Sequence, residues 1–282
     1  LDATTFTNVP DVASDNAAMT TITADAQAIR AMVALPLAMQ GVAASQTAMQ
    51  EVINSTTAMQ EVATSQTAME EVAASQTAMD EIANSATARG EVRASATAMS
   101  EIRPVDQAIA KLIAGVAGQN PSSYPDMATL AADASAMGAV VASQTALQEV
   151  LDSQTAIQAV AASQTAMQEV ASSQTALNEI GNNSIVKNTV YDNNTAVSAL
   201  QNSPQVQNVS DNILISQSIT LKNDRVILLS QDPGQEGFRS NQPVFRNNSN
   251  SFPHTADRIG RNSFSFNDRG TTTNFSFIDI SG

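Results

Sequence analysis

Small and medium-sized apolar residues recur every ten residues along most of this chain, with polar positions between them. The repeated unit reads roughly T-A-M-Q-E-V-A-x-S-Q. Copies begin at Thr47, Thr57, Thr67, Thr77, Thr87 and Thr97 and, after an interruption, at Ser135, Thr145, Thr155, Thr165, Thr175 and Thr195. Self-similarity over this length is the sequence signature of a repeat protein.

The pattern inside one unit is helical. At 100° per residue, Ala43, Ala48, Met49 and Val52 fall within an arc of about 140°. Ala, Met, Gln and Glu are all good helix formers. We therefore predict a short amphipathic helix in every unit, with the recurring Met in the core rather than in a metal site or a binding groove.

How one unit joins the next is less direct. Ten residues turn a helix through about 1000°, so the apolar stripe slips about 80° per unit, against about 20° for a heptad. Either several chains wind into an overwound, left-handed bundle of continuous helices, or each helix breaks near Ser45, Ser55 and Ser65 and the pieces stack as a solenoid. The repeated Ser-x-Thr favours breaks, and Thr47 and Gln50 have capping-box spacing. Because Gly and Pro are missing at this phase, we expect the oligomeric bundle.

The pattern divides the chain into five parts. An N-terminal segment spans 1–27, the first decapeptide array 28–103, a Gly- and Pro-containing joint or inserted loop 104–134, the second array 135–200, and a β-rich C-terminal domain 201–282. The predicted fold class is thus a mainly α repeat rod followed by a small β domain.

The C-terminal part has a different composition. Period-two alternation predicts strands at Ile213–Leu221, Arg225–Leu229, Phe264–Phe266 and Phe275–Ile280. Seven of the eight phenylalanines lie in the last 45 residues. A β domain of about 70 residues has marginal stability alone, which suggests intertwining with identical chains.

Charge narrows the classes of partner. The net charge of −14 divides into −15 over residues 1–220 and +1 over 221–282. Clustered Lys and Arg bind phosphate, so the acidic part should repel nucleic acid and anionic membranes. Uninterrupted apolar runs long enough for a membrane span do not occur, and membrane insertion is not expected.

Candidate chemistry is sparse. The chain has no Cys and a single histidine, His254. It carries no P-loop, no G-x-G-x-x-G and no G-x-S-x-G motif, so we expect no enzyme, no catalytic residue, no cofactor and no metal. Asp232 and Glu236 are close in a Gly-Pro turn, which is poor evidence for a glycosidase pair.

Glutamates also recur every ten residues, at Glu51, Glu61, Glu71, Glu81, Glu91 and Glu101. Along one helix these would stand about 15 Å apart, which favours a solvated face over a Ca²⁺ site.

The C-terminal segment offers groups that could bind a surface. Arg and Asn can hydrogen-bond a glycan or an anion. The candidates are Arg239, Arg246, Arg258, Arg261, Arg269, Asn247, Asn248, Asn250 and Asn262. The simpler interpretation is that they solvate loops around a Phe core, and no receptor-binding residue is assigned.

The tandem T-A-M-x-x-V-A-x-S-Q units over residues 37–102 and 135–180 resemble repeats in bacteriophage tail-fibre proteins. The resemblance implies a virion tail protein, commonly a homotrimer, that contacts other tail or baseplate proteins. Its distal part would contribute to attachment to a host glycan or protein. Two alternatives remain open: a bacterial surface adhesin or filament subunit, and a monomeric repeat scaffold for protein partners.

Overall fold

The computed structural model describes residues 8–191 and 193–201, followed by seven strand segments. The helices are α1 Val9–Ser14, α2 Asn16–Ala24, α3 Ala26–Val33, α4 Pro36–Ala44, α5 Gln46–Asn54, α6 Thr56–Thr64, α7 Gln66–Ala74, α8 Gln76–Asn84, α9 Ala86–Ala94, α10 Ala96–Ile102, α11 Asp106–Val116, α12 Met127–Ala132, α13 Ala134–Ala142, α14 Gln144–Leu151, α15 Gln154–Ala162, α16 Gln164–Ser172, α17 Gln174–Asn182, α18 Ser184–Tyr191 and α19 Asn194–Gln201. The chain divides into two compact units, residues 1–159 and 160–282, with the boundary inside α15.

At most junctions a single extended residue separates one repeat helix from the next. Ser45, at φ −102° and ψ 118°, donates its backbone N–H to Val42 and accepts from the N–H of Met49. Its hydroxyl accepts from the N–H of Ala48 at 3.3 Å, so Ser45 is an N-cap. We call such an N-cap residue a junction residue. The expected continuous helix is therefore wrong, and the alternative, a break at each Ser, is confirmed. The capping-box prediction is also wrong, because Thr47 lies inside the helix that Ser45 caps.

In the first unit each helix from α1 to α8 packs against the third helix after it. α2 contacts α5, α5 contacts α8 and α8 contacts α11, while α4 contacts α7 and α7 contacts α10. α3 and α4 meet at a bend of 102°, and the contacts of each helix with the third one after it show that the chain returns to its earlier course every three helices. Three helices thus make one coil of about 30 residues, and the coils stack as an α-helical solenoid.

The core lies inside the coils of one chain. Met39, Met49, Met59, Met69 and Met79 are each 0% exposed. From Met49 onward in this series, the Ala before each Met and the Val or Ile three residues after it are buried as well. The prediction that Met belongs to the core is confirmed. Because the core closes within the chain, the apolar stripe does not need a second copy to bury it.

The solenoid begins earlier than the sequence indicated and continues through the predicted joint. α1 and α2 lie in the segment 1–27, before the predicted start of the first array. Residues 104–134, which we call the joint, contain α11, a 3₁₀ turn at Pro121–Ser123 and α12. The inserted-loop interpretation is therefore wrong, because most of this segment is helical.

In the second unit α16 packs against α19, so the same three-helix spacing recurs there. The strands are β1 Val206–Asp211, β2 Ser218–Thr220, β3 Val226–Gln231, β4 Phe238–Ser240, β5 Ile259–Gly260, β6 Ser263–Phe266 and β7 Thr273–Asp279. They pair in the orders β1-β7-β3-β5 and β2-β6-β4. Much of 202–282 lies outside the described residues, and a Phe-centred β domain stays a prediction.

Candidate functional site

The repeated chemistry of the first unit is a hydrogen bond from each coil to the coil before it. Junction serines donate their hydroxyls to backbone carbonyls 32 residues earlier. The pairs are Ser45 with Ala13 (2.6 Å), Ser55 with Thr23 (3.1 Å), Ser65 with Val33 (2.9 Å), Ser75 with Ala43 (2.5 Å) and Ser95 with Ala63 (2.5 Å). A hydroxyl can donate once and accept twice. One Ser therefore caps its own helix and fixes the register of two coils.

The glutamates that recur every ten residues are distributed over the three helices of a coil. Glu51 accepts a hydrogen bond from Thr20 at 2.9 Å, and Glu81 accepts from Gln46 at 2.7 Å, in each case from an earlier coil. Arg30 lies 3.6 Å from Glu61. The helical breaks thus replace the predicted ladder along one helix by contacts between coils. Among the described residues, no three His, Asp or Glu side chains are grouped so that they could hold a metal ion.

At α11 the regular scheme changes, because this helix continues through the position where a junction serine would stand. Gly115 occupies that position, and a Cβ there would overlap the carbonyl oxygen of Ala83 in the preceding coil. The Ala83 carbonyl instead accepts from the guanidinium of Arg89, the residue that replaces Met in its unit. Gly115 therefore allows α11 to approach the preceding coil closely, and Arg89 supplies the hydrogen bond that a junction serine would give to the Ala83 carbonyl.

Two further substitutions hold α11 in place. Gln107 donates its side-chain amide to the carbonyl of Ala74 at 2.7 Å, next to a junction where Val105 replaces serine. The ammonium of Lys111 is fully buried and lies 2.5 Å from the carboxylate of Asp80 on α8. A buried charge needs such a partner, since burial removes its hydration.

The second array joins the first through a charged cluster. Glu149 on α14 is 5% exposed and lies 2.7 Å from Arg93 and 3.7 Å from Arg103. Arg103 also pairs with Asp152 at 2.9 Å. Next to them, the Ser153 hydroxyl donates to the carbonyl of Arg103 at 2.9 Å, across 50 residues rather than the 32 of the first array. The joint therefore lengthens this coil by a number of residues that is not a multiple of ten, which is why the repeat changes phase.

Carboxylates replace serine at the N-caps of α12 and α13. Asp133 caps α13, and its pKa is lowered by the backbone N–H of Ala136 and then by the hydroxyl of Tyr124, which donates at 3.0 Å. Burial, followed by that bond to Asp133, raises the pKa of Tyr124. The pKa of Asp126, which caps α12, is lowered because Thr129 donates to it. The bond from Tyr124 ties the start of α13 to the chain that precedes α12, whereas the bond to Asp126 caps α12 itself.

The residues considered for binding or catalysis at the level of sequence fall elsewhere. His254, Asp232, Glu236, Arg246, Arg258, Arg261, Arg269, Asn247, Asn248, Asn250 and Asn262 lie outside the described residues. Arg239 lies in β4, and its side chain is outside the description as well. Sequence reasoning missed Lys111 and Glu149. The signal for Lys111 was a lysine inside an apolar run, whereas Glu149 occupies the ordinary Glu position of its repeat unit and carries no such signal.

No known protein family and no curated protein matches this chain. In the described part, no single helix has the length and apolar composition needed to cross a bilayer. The fold of the first unit itself defines a class, the α-helical solenoids of short repeats.

Proposed function

We propose that this protein is a structural component of a bacteriophage tail fibre. In this proposal the decapeptide coils form the shaft, and the C-terminal segment 201–282 contributes to attachment to a host surface. The observation that supports a structural role is that successive coils differ little. Most helices of the first array bury a Met in the core, and most of its junction serines bond to the previous coil. Such coils act as spacers whose number sets a distance.

We infer a tail-fibre protein, rather than another virion protein, because the repeats resemble those of bacteriophage tail-fibre proteins. The same resemblance implies a homotrimer. From α4 onward, the described coils of the first unit bury their apolar stripe without a partner chain. We therefore assign the trimer contacts to segment 201–282 rather than to the arrays. Other tail or baseplate proteins are the expected partners, and a host glycan or protein is the expected receptor.

A second candidate function follows from the same self-contained core. A solenoid that needs no partner is equally suited to a monomeric scaffold that presents its outer faces to other proteins. A bacterial surface adhesin or filament subunit has no specific observation in its favour.

Sedimentation and labelling separate these functions. A fibre protein is expected to sediment as a trimer of about 88 kDa, three times the 29.4 kDa chain. A variant that ends after residue 201 should sediment as a monomer. Antibodies against the repeat unit should decorate fibres on purified phage particles by immunogold electron microscopy. If the full-length protein sediments as a monomer and the antibodies label no phage particle, the tail-fibre proposal is overturned in favour of the scaffold.

A further inference from the structure

The first coil, made of α1, α2 and α3, differs from later coils at its junction residues. Asp15 and Asp25 stand at the first two junctions, and Leu35 stands at the third. In the coils that follow, Ser45, Ser55 and Ser65 occupy the same positions. The difference concerns hydrogen-bond chemistry, because serine both accepts and donates whereas an ionised carboxylate only accepts.

Both aspartates still cap their own helices. Asp15 accepts from the N–H of Ala18 at 2.9 Å, and Asp25 accepts from the N–H of Gln27 at 2.8 Å. What they lose is the donor that a junction serine directs at the carbonyl of the coil before it. Leu35 makes no side-chain capping bond. The first coil can therefore make none of the three bonds that register a preceding coil.

A preceding decapeptide coil would also meet unfavourable charge there. Its carbonyl oxygens would face the carboxylates of Asp15 and Asp25, and burying an acceptor against an acceptor leaves both groups without a donor. The interior of the chain shows what such a carboxylate requires. Asp133, also a junction residue, lies against another element of the fold and is met there by the hydroxyl of Tyr124.

The apolar surface at the same end of the solenoid would favour the stacking of a preceding coil, in contrast to the carboxylates. Val12, Ile22 and Met32 occupy the position of Val52 and Val62, which are 0% exposed, but they are only half-buried. With Val9 and Leu35 they line a groove of about 200 Å³. Shape and hydrophobicity alone would therefore accept another coil, so the junction side chains decide whether one stacks.

We propose that the first coil is an end piece of the solenoid. Asp15 and Asp25 prevent another decapeptide coil, from this chain or from a second copy, from stacking on α1, α2 and α3. The stack of coils thus starts at α1, whatever segment precedes it. The inference depends on the coil chemistry and not on the tail-fibre function.

An added coil provides the direct test. Residues 45–74 are duplicated between Thr4 and Thr5 of the full chain, which keeps the phase of the repeat, and amide hydrogen exchange is measured over the added residues. With Asp15 and Asp25 in place, the added amides should exchange within about tenfold of the rate of an unfolded peptide. With Asp15→Ser, Asp25→Ser and Leu35→Ser combined, protection should rise by about 100-fold or more. The same segment inserted between Ala74 and Ser75 is the matched control and should be protected.

The proposal is overturned if the added coil is equally protected from exchange with the native junction residues and with the three serines. It is also overturned if the added coil is unprotected in both cases while the interior control is protected. A pair of single substitutions checks the cause in the unextended chain. Ser65→Asp should raise the unfolding equilibrium constant about tenfold or more, because its carboxylate faces the Val33 carbonyl. Asp25→Ser should change that constant less than about threefold, because both residues are good N-caps. If Ser65→Asp is as neutral as Asp25→Ser, the carboxylates do not bar stacking and the proposal fails.

Discussion

The first array and the joint hold one coil on the next in two different ways. In the array serine alone performs both tasks, helix capping and bonding between coils, since Ser65 caps α7 and donates to the Val33 carbonyl in the coil before it. At α11, in the joint, the same tasks are divided between Gln107 and Gly115 of that helix and Arg89 of α9. The array tolerates repetition because its junction serines are interchangeable, whereas the joint is specified by residues that occur once.

This comparison predicts the largest effect for deletions of equal length. Removing residues 56–65 should preserve cooperative unfolding, because the remaining junction serines of the array still meet carbonyls of the coil before them. Removing residues 117–126 should cost about 3–5 kcal/mol or more, because Lys111 loses the carbonyl of Pro121 and Asp133 loses Tyr124. Urea unfolding followed by circular dichroism measures both.

A deletion of residues 56–60 is the control for phase. Five residues rotate a helix by about 140° relative to the array, so this variant should lose the solenoid although it removes fewer residues. Similar losses for the two longer deletions would contradict the distinction between interchangeable and unique junctions.

The buried ion pair of the joint should give the next largest effect. Asp80→Ala leaves the fully buried ammonium of Lys111 without its carboxylate, which should reduce the free energy of unfolding by about 3 kcal/mol. Lys111→Met should cost much less, because it replaces the charge by an apolar side chain of similar length. Gln60→Ala, at the equivalent position of α6, should change stability by less than about 0.5 kcal/mol. A loss below about 1 kcal/mol for Asp80→Ala would show that the pair does not hold α11.

Two glycines provide a matched pair with opposite signs. Gly115→Ala should destabilise by about 1–3 kcal/mol, since the new Cβ would press on the Ala83 carbonyl. Gly90→Ala should stabilise by about 0.5–1 kcal/mol, because a Cβ there meets nothing within 4 Å and alanine favours the helix. Thermal unfolding of the two variants checks the prediction. The same sign for both would mean that Gly115 is not a point of close approach.

The smallest effect concerns pH. The pKa of Asp133 is lowered in the fold, so its stabilising contribution is complete above the ordinary value of 3.8 and is lost as the pH falls through the lowered pKa. The stability advantage of the native protein over Asp133→Asn should therefore shrink in acid. Ser143→Asn, at the next junction, should differ from the native protein by an amount that does not change with pH. Urea midpoints between pH 6 and pH 2 give both differences, and parallel profiles for both variants would contradict the role of Asp133.

The sequence alone determined that this is a mainly helical repeat protein and that Met is in its core. The reason is local: the 3.6-residue period and the helix propensities act within one unit, and they point to the same face in Met49 and Met59. The N-cap role of Ser45 was also within reach, because Ser before a helix accepts from the N–H three residues later.

Only the tertiary structure decided between a bundle and a solenoid. An apolar stripe that slips by about 80° per unit can be buried by other chains or by the same chain, and no local preference separates these solutions. The bond from Ser65 to Val33 spans 32 residues, and the contact of Glu149 with Arg93 spans 56. Contacts between residues that far apart in sequence depend on how the chain coils in space. The ten-residue periodicity therefore predicted the length of each helix but not which other helices it packs against.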